Sequence, residues 1–549
     1  MFRNIVLLLA SYALFFVVTR VLKGRTKQKI LRNFPGPPSE SFVTGVIKSL
    51  HSPFAISYRE RVLVSYGRVI KLPAMFGGIQ LAVSDPQAVA ALFGRYRDQF
   101  DIGQAVSETF NTIFGPSIVA SRDGEHNKHR KLLNPVFSPR VLRETVPLMH
   151  SVAKELVDNL LYEVGHEFAD VELSGHISRF SLETVSRTML GYSFGPLADH
   201  GTDYSRALKM FGAPLAQLAV WRPLLPWLRR TFPAWLLRLA VRVLPWKALR
   251  QMRFVCETIN QTALKIVRRK IELIRRGDEA MTQEIGEGKD LMSVLLRQSL
   301  DADTSSEAEP LSEAGLVGQM SALLLAATDT TSATLIRIVQ LLSEHPSVQR
   351  KLKEEIFQAT LAVGRELNNF DYDALAGLPF LDAVIRETLR MFPAFYITHR
   401  VSDEDAVLPL SSPVRGLDGQ LIHELPVPAG TIVWVNVLGL NRDPAIWGPD
   451  AAEWKPERWL SPLPGTVTDA HVPSVFANLA TFSAGPRSCI GYNLALTEMR
   501  VALSHMALAF EFSPSGRSIV WKFAGVYAPS VEGSKATQPE FSVLLRSTR

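Results

Sequence analysis

Residues 311–344, LSEAGLVGQMSALLLAATDTTSATLIRIVQLLSE, are apolar on most faces of a helix through their middle. A helix of that kind is stable only when other elements surround it, so it has to cross a core. It would be near 50 Å long at about 1.5 Å per residue, and Pro346 ends it. A core that deep needs a large chain. The 549 residues, 47% of them hydrophobic, supply one and exclude global disorder. Helix-period patterns dominate from about residue 80 to 400, with no internal repeat. Strand-like material is expected at 67–84, at 397–437 with Asp418-Gly419 as a hairpin turn, and along 508–547. Low-complexity polar loops are read at 284–290 and 301–310. The fold class expected is mostly α with small β-sheets.

Inside the long apolar segment sits Thr328-Asp329-Thr330-Thr331. These residues compete for backbone hydrogen bonds and are poor choices in mid-helix. In so apolar a helix they are expected to face a reaction pocket. The chain has two cysteines, Cys256 and Cys489. That count excludes a disulfide framework and any site needing four cysteine ligands. Cys489 lies in Phe482-Ser-Ala-Gly485-Pro-Arg487-Ser-Cys489-Ile-Gly491. Gly485 and Gly491 allow a backbone to approach a flat cofactor, and Arg487 suits a cofactor carboxylate. A helix over 493–507 would aim amide N–H groups at the sulfur and favour thiolate. The histidines, His399 included, lack metal-ligand spacing.

Two stretches point to a membrane. Residues 5–19 carry no charge, Arg20 interrupts, and six basic residues lie between 20 and 32. About 18 residues can span a thin bilayer if Arg20 snorkels. The basic excess places the body of the protein in the cytoplasm. A cleaved signal peptide fits less well, since no A-x-A-like site precedes the basic cluster. The prolines of 34–38 would make a stiff spacer. Further on, residues 204–256 hold ten Lys or Arg, no Asp or Glu, and Trp221, Trp227, Trp235 and Trp246, with prolines breaking them into short helices. That mixture suits a membrane interface. The formal charge of +7 is not accompanied by any nucleic-acid-binding signature.

In Phe482–Gly491, Glu387-Thr-Leu-Arg390 and Lys455-Pro456-Glu457-Arg458-Trp459, the chain resembles the cytochrome P450 superfamily, and the likeness covers nearly its whole length. It is most similar to microsomal, basidiomycete-like fungal members. The resemblance implies the cytochrome P450 fold, a helical haem domain behind one N-terminal transmembrane helix. Residues 1–22 would be the anchor, 23–38 a basic stop-transfer segment and hinge, and 39–549 the catalytic domain. It implies haem b with Cys489 as axial iron ligand. Phe482, Gly485 and Gly491 would shape the loop, and Arg487, Arg130, His126 and Arg400 would serve the haem carboxylates. His126 stands where the family usually has Trp. Glu387, Arg390 and Arg458 would brace the haem loop, Trp459 replacing the usual Phe. Asp329 and Thr330 would relay protons to dioxygen, with Ala327 in place of a common Gly.

The activity so implied is oxidation of a lipophilic small molecule by a monooxygenase. NADPH would supply electrons through a separate cytochrome P450 reductase, with cytochrome b5 as a further donor. The protein would sit in the endoplasmic reticulum membrane, its single span leaving the catalytic domain in the cytoplasm. Fungal specialised metabolism, and a terpenoid first, would supply the substrate. A haem-thiolate isomerase or dehydratase needing no oxygen, and a non-catalytic haem-binding membrane protein, are the competing readings. Neither needs the Asp329–Thr330 pair. The pocket is expected to be lined by 101–120, 320–330, 395–397 and 524–527.

Overall fold

Ser312 starts the long helix. Its hydroxyl accepts from the Gly315 amide at 3.1 Å, satisfying one of the donors that a helix start leaves open. The helix then runs unbroken from Glu313 to Glu344. His345 leaves helical geometry, and Pro346 opens the next helix at its first turn, where a missing N–H costs nothing. The computed structural model describes residues 28–548 apart from 54–55, 166, 199–201, 278–289, 302–310, 365, 524, 535 and 537. The expected anchor at 1–22, the basic residues up to 27 and most of the two polar loops lie outside the described residues. The chain forms two compact units.

One unit comprises the described residues up to Gly103, Phe395–Ala452 and Pro464–Pro486. Its strands are β1 (Val69–Pro73), β2 (Ile79–Val83), β3 (Phe100–Asp101), β4 (Ile397–Ser402), β5 (Ala406–Arg415), β6 (Leu421–Val427) and β7 (Ile432–Asn436). A five-stranded sheet has the order β1-β2-β7-β4-β3, with only β2 and β7 parallel. β5 and β6 form a separate hairpin. Asp418-Gly419 lies in its turn, as expected. Gly419 takes φ +85°, which glycine adopts without strain, and its amide donates to the Gly416 carbonyl at 3.0 Å. The proline-rich segment expected as a spacer is instead docked on this sheet. Leu31 and Phe34 are buried, and the Lys71 amide donates to the Pro35 carbonyl at 2.7 Å. Gly36 runs so close to Lys71 that an added Cβ would stand 2.0 Å from its carbonyl oxygen. The signal missed was the pair Leu31 and Phe34, whose burial outweighs the freedom of a hinge.

The other unit comprises Gln104–Ala394, Glu453–Leu463 and the residues from Arg487 onward. Its principal helices are α1 (Gln104–Phe114), α2 (Asp123–Leu133), α3 (Pro139–Val164), α4 (Leu173–Leu190), α5 (Lys247–Arg276), α6 (Glu313–Glu344), α7 (Pro346–Val363), α8 (Pro379–Met391) and α9 (Tyr492–Ala509). α6 packs along α4 and also touches α5, α8 and α9. Among the described residues it is the one helix long and apolar enough to cross a membrane, yet most of it is buried, so it is a core helix. Its first half is clamped to the turn before α2. A Cβ on Gly318 would lie 2.2 Å from the Pro116 carbonyl oxygen, and Gln319 Oε1 accepts from the Ile118 amide at 3.0 Å. The C-terminal strands expected from alternation are present as Phe510–Pro514, Ile519–Phe523, Tyr527–Val531 and Ser542–Ser547. Between α4 and α5, prolines do break 204–246 into short helices, and Trp221, Trp235, Leu239, Val243 and Leu244 are exposed there.

Candidate active site

The cysteine loop enters through the first unit. Phe482 ends a short 3-10 turn and meets Phe476 edge-on, with ring centroids 5.8 Å apart. Gly485 has φ +68°, and an added Cβ would stand 3.0 Å from the Phe93 carbonyl oxygen, so its glycine is required twice over. Arg400 belongs to this unit as well. It is buried in β4, its Nη1 donates to the His399 carbonyl at 2.8 Å, and its guanidinium lies 5.3 Å from the Phe93 ring centre.

The chain passes to the second unit between Pro486 and Arg487. Arg487 Nη2 donates to the Ser121 carbonyl at 2.7 Å. Arg130, on α2, binds the loop from the other direction: Nη1 donates to the Ser488 carbonyl and Nη2 to Ser488 Oγ at 3.0 Å. Two arginines thus tie the loop to α2 through Ser488 and to the segment before α2 through Ser121. His126 is buried one turn earlier on α2.

Cys489 follows, and α9 begins at Tyr492. Burial pushes its thiol pKa up. The Gly491 N–H donating to the sulfur and the positive charge of Arg130 act in the opposite direction without overcoming it. Helix-start donation is therefore real but weaker than desolvation. Cys489 nevertheless carries exposed surface. Gly491 has φ −96°, and a Cβ there would make only ordinary contact with the Phe137 ring at 3.6 Å. Contacts within the protein therefore do not demand a glycine at this position.

α6 also keeps exposed surface in its middle. Ala326 is exposed in the middle of a mostly buried helix, next to buried Leu325. Thr330, one turn on, is half-buried, and its hydroxyl donates back to the Ala326 carbonyl at 2.8 Å. Of the polar run, Thr328 and Thr331 are buried while Asp329 and Thr330 keep exposed surface. Only half of that run therefore fits the expected pocket face. Burial pushes the Asp329 pKa up to about 7, against the downward pull of Lys209. Lys209, on the short helix Asp203–Met210, has its own pKa lowered by burial. No spacing rule pointed to Lys209. Behind α6, Ser181 Oγ donates to the Thr328 carbonyl at 3.2 Å, and burial raises the Glu498 pKa to about 8.

Glu387 and Arg390 are wholly buried, and the Arg458 side chain is nearly so. Glu387 Oε1 accepts from Arg390 Nη2 at 2.8 Å, the Lys455 amide at 3.0 Å and Arg458 Nε at 3.4 Å. Its Oε2 accepts from Arg390 Nε and from the Trp459 indole N–H, both at 2.9 Å. Trp459 is therefore more than a larger Phe, because it adds a donor to a buried carboxylate.

A family model described as Cytochrome P450 matches residues 65–529. The chain belongs to the cytochrome P450 family. Curated relatives agree with that placement of this P450. Cytochrome P450 monooxygenase 219 from Postia placenta is 40% identical over 95% of each chain. Cytochrome P450 monooxygenase 91 from the same fungus is 38% identical over 94% of this chain and 95% of its own. Ganoderic acid synthetase CYP5150L8 from Ganoderma lucidum is 36% identical over 98% and 97%. The protein is a fungal-type P450 monooxygenase with the P450 fold, and its family implies haem. The donor set fits that group: one desolvated thiol with an open face, a main-chain N–H and an arginine favouring its anion, and no rival cluster of three metal-binding side chains among the described residues.

Proposed function

We propose that this P450 hydroxylates or otherwise oxidises a lipophilic small molecule, with electrons from NADPH delivered by a separate reductase. Cys489 would hold the haem iron, and Arg130 and Arg487 would serve its carboxylates. When bound, haem supplies the iron at which dioxygen is reduced, and a thiolate ligand favours cleavage of the O–O bond. The observation that carries the reading is Asp329 beside Thr330 where α6 keeps exposed surface, its pKa raised to about 7. Near neutral pH such a carboxyl both takes a proton from water and gives it up. Thr330 Oγ holds its proton toward the Ala326 carbonyl and has lone pairs left to orient a water. An apolar terpenoid of fungal specialised metabolism is the substrate class proposed, a reading supported by the name of the Ganoderma relative. The N-terminal apolar segment would anchor the protein in the endoplasmic reticulum membrane with the catalytic part in the cytoplasm. The exposed Trp221, Trp235 and Val243 support contact with that membrane.

Turnover with NADPH and reductase, with and without oxygen, tests the class. Product formed without oxygen would assign the chain to the isomerase or dehydratase reading. Thr330→Ala keeps NADPH consumption and lowers product per NADPH severalfold; unchanged coupling removes Thr330 from the relay.

Lys209 gives a sharper test. The folded protein holds the Asp329 proton more tightly than the unfolded chain does. Asp329 therefore contributes less to folding as pH rises from the ordinary Asp range through about 7. Lys209→Met removes the positive charge that lowers this pKa, so the pH dependence of coupling moves to higher pH. A profile that stays in place means that Lys209 does not act on Asp329.

A further inference from the structure

The turn joining β1 to β2 carries an aromatic residue where the backbone disfavours one. The Gly78 amide donates to the Met75 carbonyl at 3.1 Å, so Phe76 and Gly77 are the central residues of the turn. Both have positive φ, +54° and +73°. That is the pattern of a type I′ turn, which favours Asn, Asp or Gly. A bulky side chain is strained there. The Phe76 ring is only half-buried, so core packing does not account for it. It meets the Phe42 ring edge-on, with centroids 6.4 Å apart, and its amide donates to the Val43 carbonyl at 3.3 Å. Phe42 and Val43 are 61% and 52% exposed. Their segment is held firmly. The Val46 amide donates to the Pro73 carbonyl at 2.9 Å, and a Cβ on Gly45 would stand 2.2 Å from that oxygen. A rigid mount thus holds an apolar tip out in solvent.

What covers the tip follows from where the chain enters this unit. Gln28 opens the 3-10 helix Gln28–Asn33, and its Oε1 accepts from the Ile79 amide at 2.8 Å, just past the same turn. Lys29 and Arg32 on that helix are exposed and suit anionic headgroups. Residues 23–27 alone separate Gln28 from the segment 1–22 proposed as the anchor. Five residues reach about 17 Å when fully extended. With 1–22 in a bilayer, the turn cannot stand far from its surface. We infer that Phe42, Val43 and Phe76 seat this unit in the headgroup layer of an anionic membrane, and that the strained Phe76 is kept for that contact. This inference rests on the proposed anchor and adds a second point of attachment to it.

The test uses the full-length holoenzyme on vesicles of phosphatidylcholine and phosphatidylserine, with an NBD fluorophore attached through Val43→Cys in a Cys256→Ser background. Lipid carrying a doxyl quencher near the headgroup is expected to dim the label at least about twofold, as for groups about 5–10 Å deep. Phe42→Asp abolishes that quenching while the protein still sediments with the vesicles. Phe76→Asn weakens the quenching, and it leaves the urea midpoint unchanged or raises it, because Asn suits the turn. A protein that does not sediment overturns the anchor reading together with this one. Sedimentation with an unquenched label overturns this inference alone. A lower urea midpoint in Phe76→Asn means that the ring serves the fold, and the role given to its strain fails. A label that ignores lipid and responds to added cytochrome P450 reductase means that the tip meets a protein, which also overturns the inference.

Discussion

Replacing Cys489 with alanine leaves a folded protein that lacks the red-shifted reduced-CO absorption band of thiolate-ligated P450s. The loop around the cysteine does not depend on the sulfur for its shape. Arg130 and Arg487 hold it through the Ser488 carbonyl and hydroxyl and the Ser121 carbonyl, and Gly485 fixes its entry. What disappears is the single thiol of the site. Cys256, the other cysteine, is on α5, and burial raises its pKa to about 12, so it is no substitute ligand. Far-UV circular dichroism is expected to match the wild type while the CO band is absent. A Cys489→Ala variant with the band intact would remove the ligand assignment and with it the oxidative mechanism.

The fold was legible where sequence periodicity and burial agree. The span 311–344 is apolar on most faces through its middle, and α6 is accordingly mostly buried. Asp418-Gly419 marks its hairpin because only a turn residue tolerates φ +85°. The cysteine motif and Glu387–Arg390 were legible because chemistry fixes their spacing along the chain. Other features depend on residues brought together from distant places. Lys209 acts on Asp329 from 120 positions away, and Glu498 meets Ser181 of α4 behind α6, as the pKa effects imply. Neither pairing leaves a sequence pattern. Leu31 and Phe34 were hidden for a different reason. Two apolar residues among prolines are too short a pattern to reveal a docked segment, yet together they bury enough surface to hold it.

Arg390→Leu should be among the most destabilising single changes in the protein, costing about 3–5 kcal/mol. Both side chains of the pair are wholly buried. Arg390 supplies a donor to each Glu387 oxygen and a third to the Glu453 carbonyl at 2.9 Å. Without it the carboxylate keeps Lys455 N–H, Arg458 and Trp459, which satisfy hydrogen bonds but leave Arg458 Nε, 3.4 Å away, as the remaining close cation. A lower urea midpoint and haem release before global unfolding are the expected readouts, since the segment 453–463 that the pair holds is then free to shift. Trp459→Phe restores the residue usual in the family and removes one donor to a charged acceptor, so its cost is smaller, about 1.5–3 kcal/mol. The double variant Glu387→Leu with Arg390→Leu separates causes. If the stranded carboxylate is what destabilises the single variant, removing it recovers part of the loss, because an apolar pair tolerates burial where a lone charge does not. A double variant less stable than Arg390→Leu would mean instead that the damage comes from lost packing and from the freed Lys455 amide and Trp459 indole, and that the charge of Glu387 is incidental to the brace.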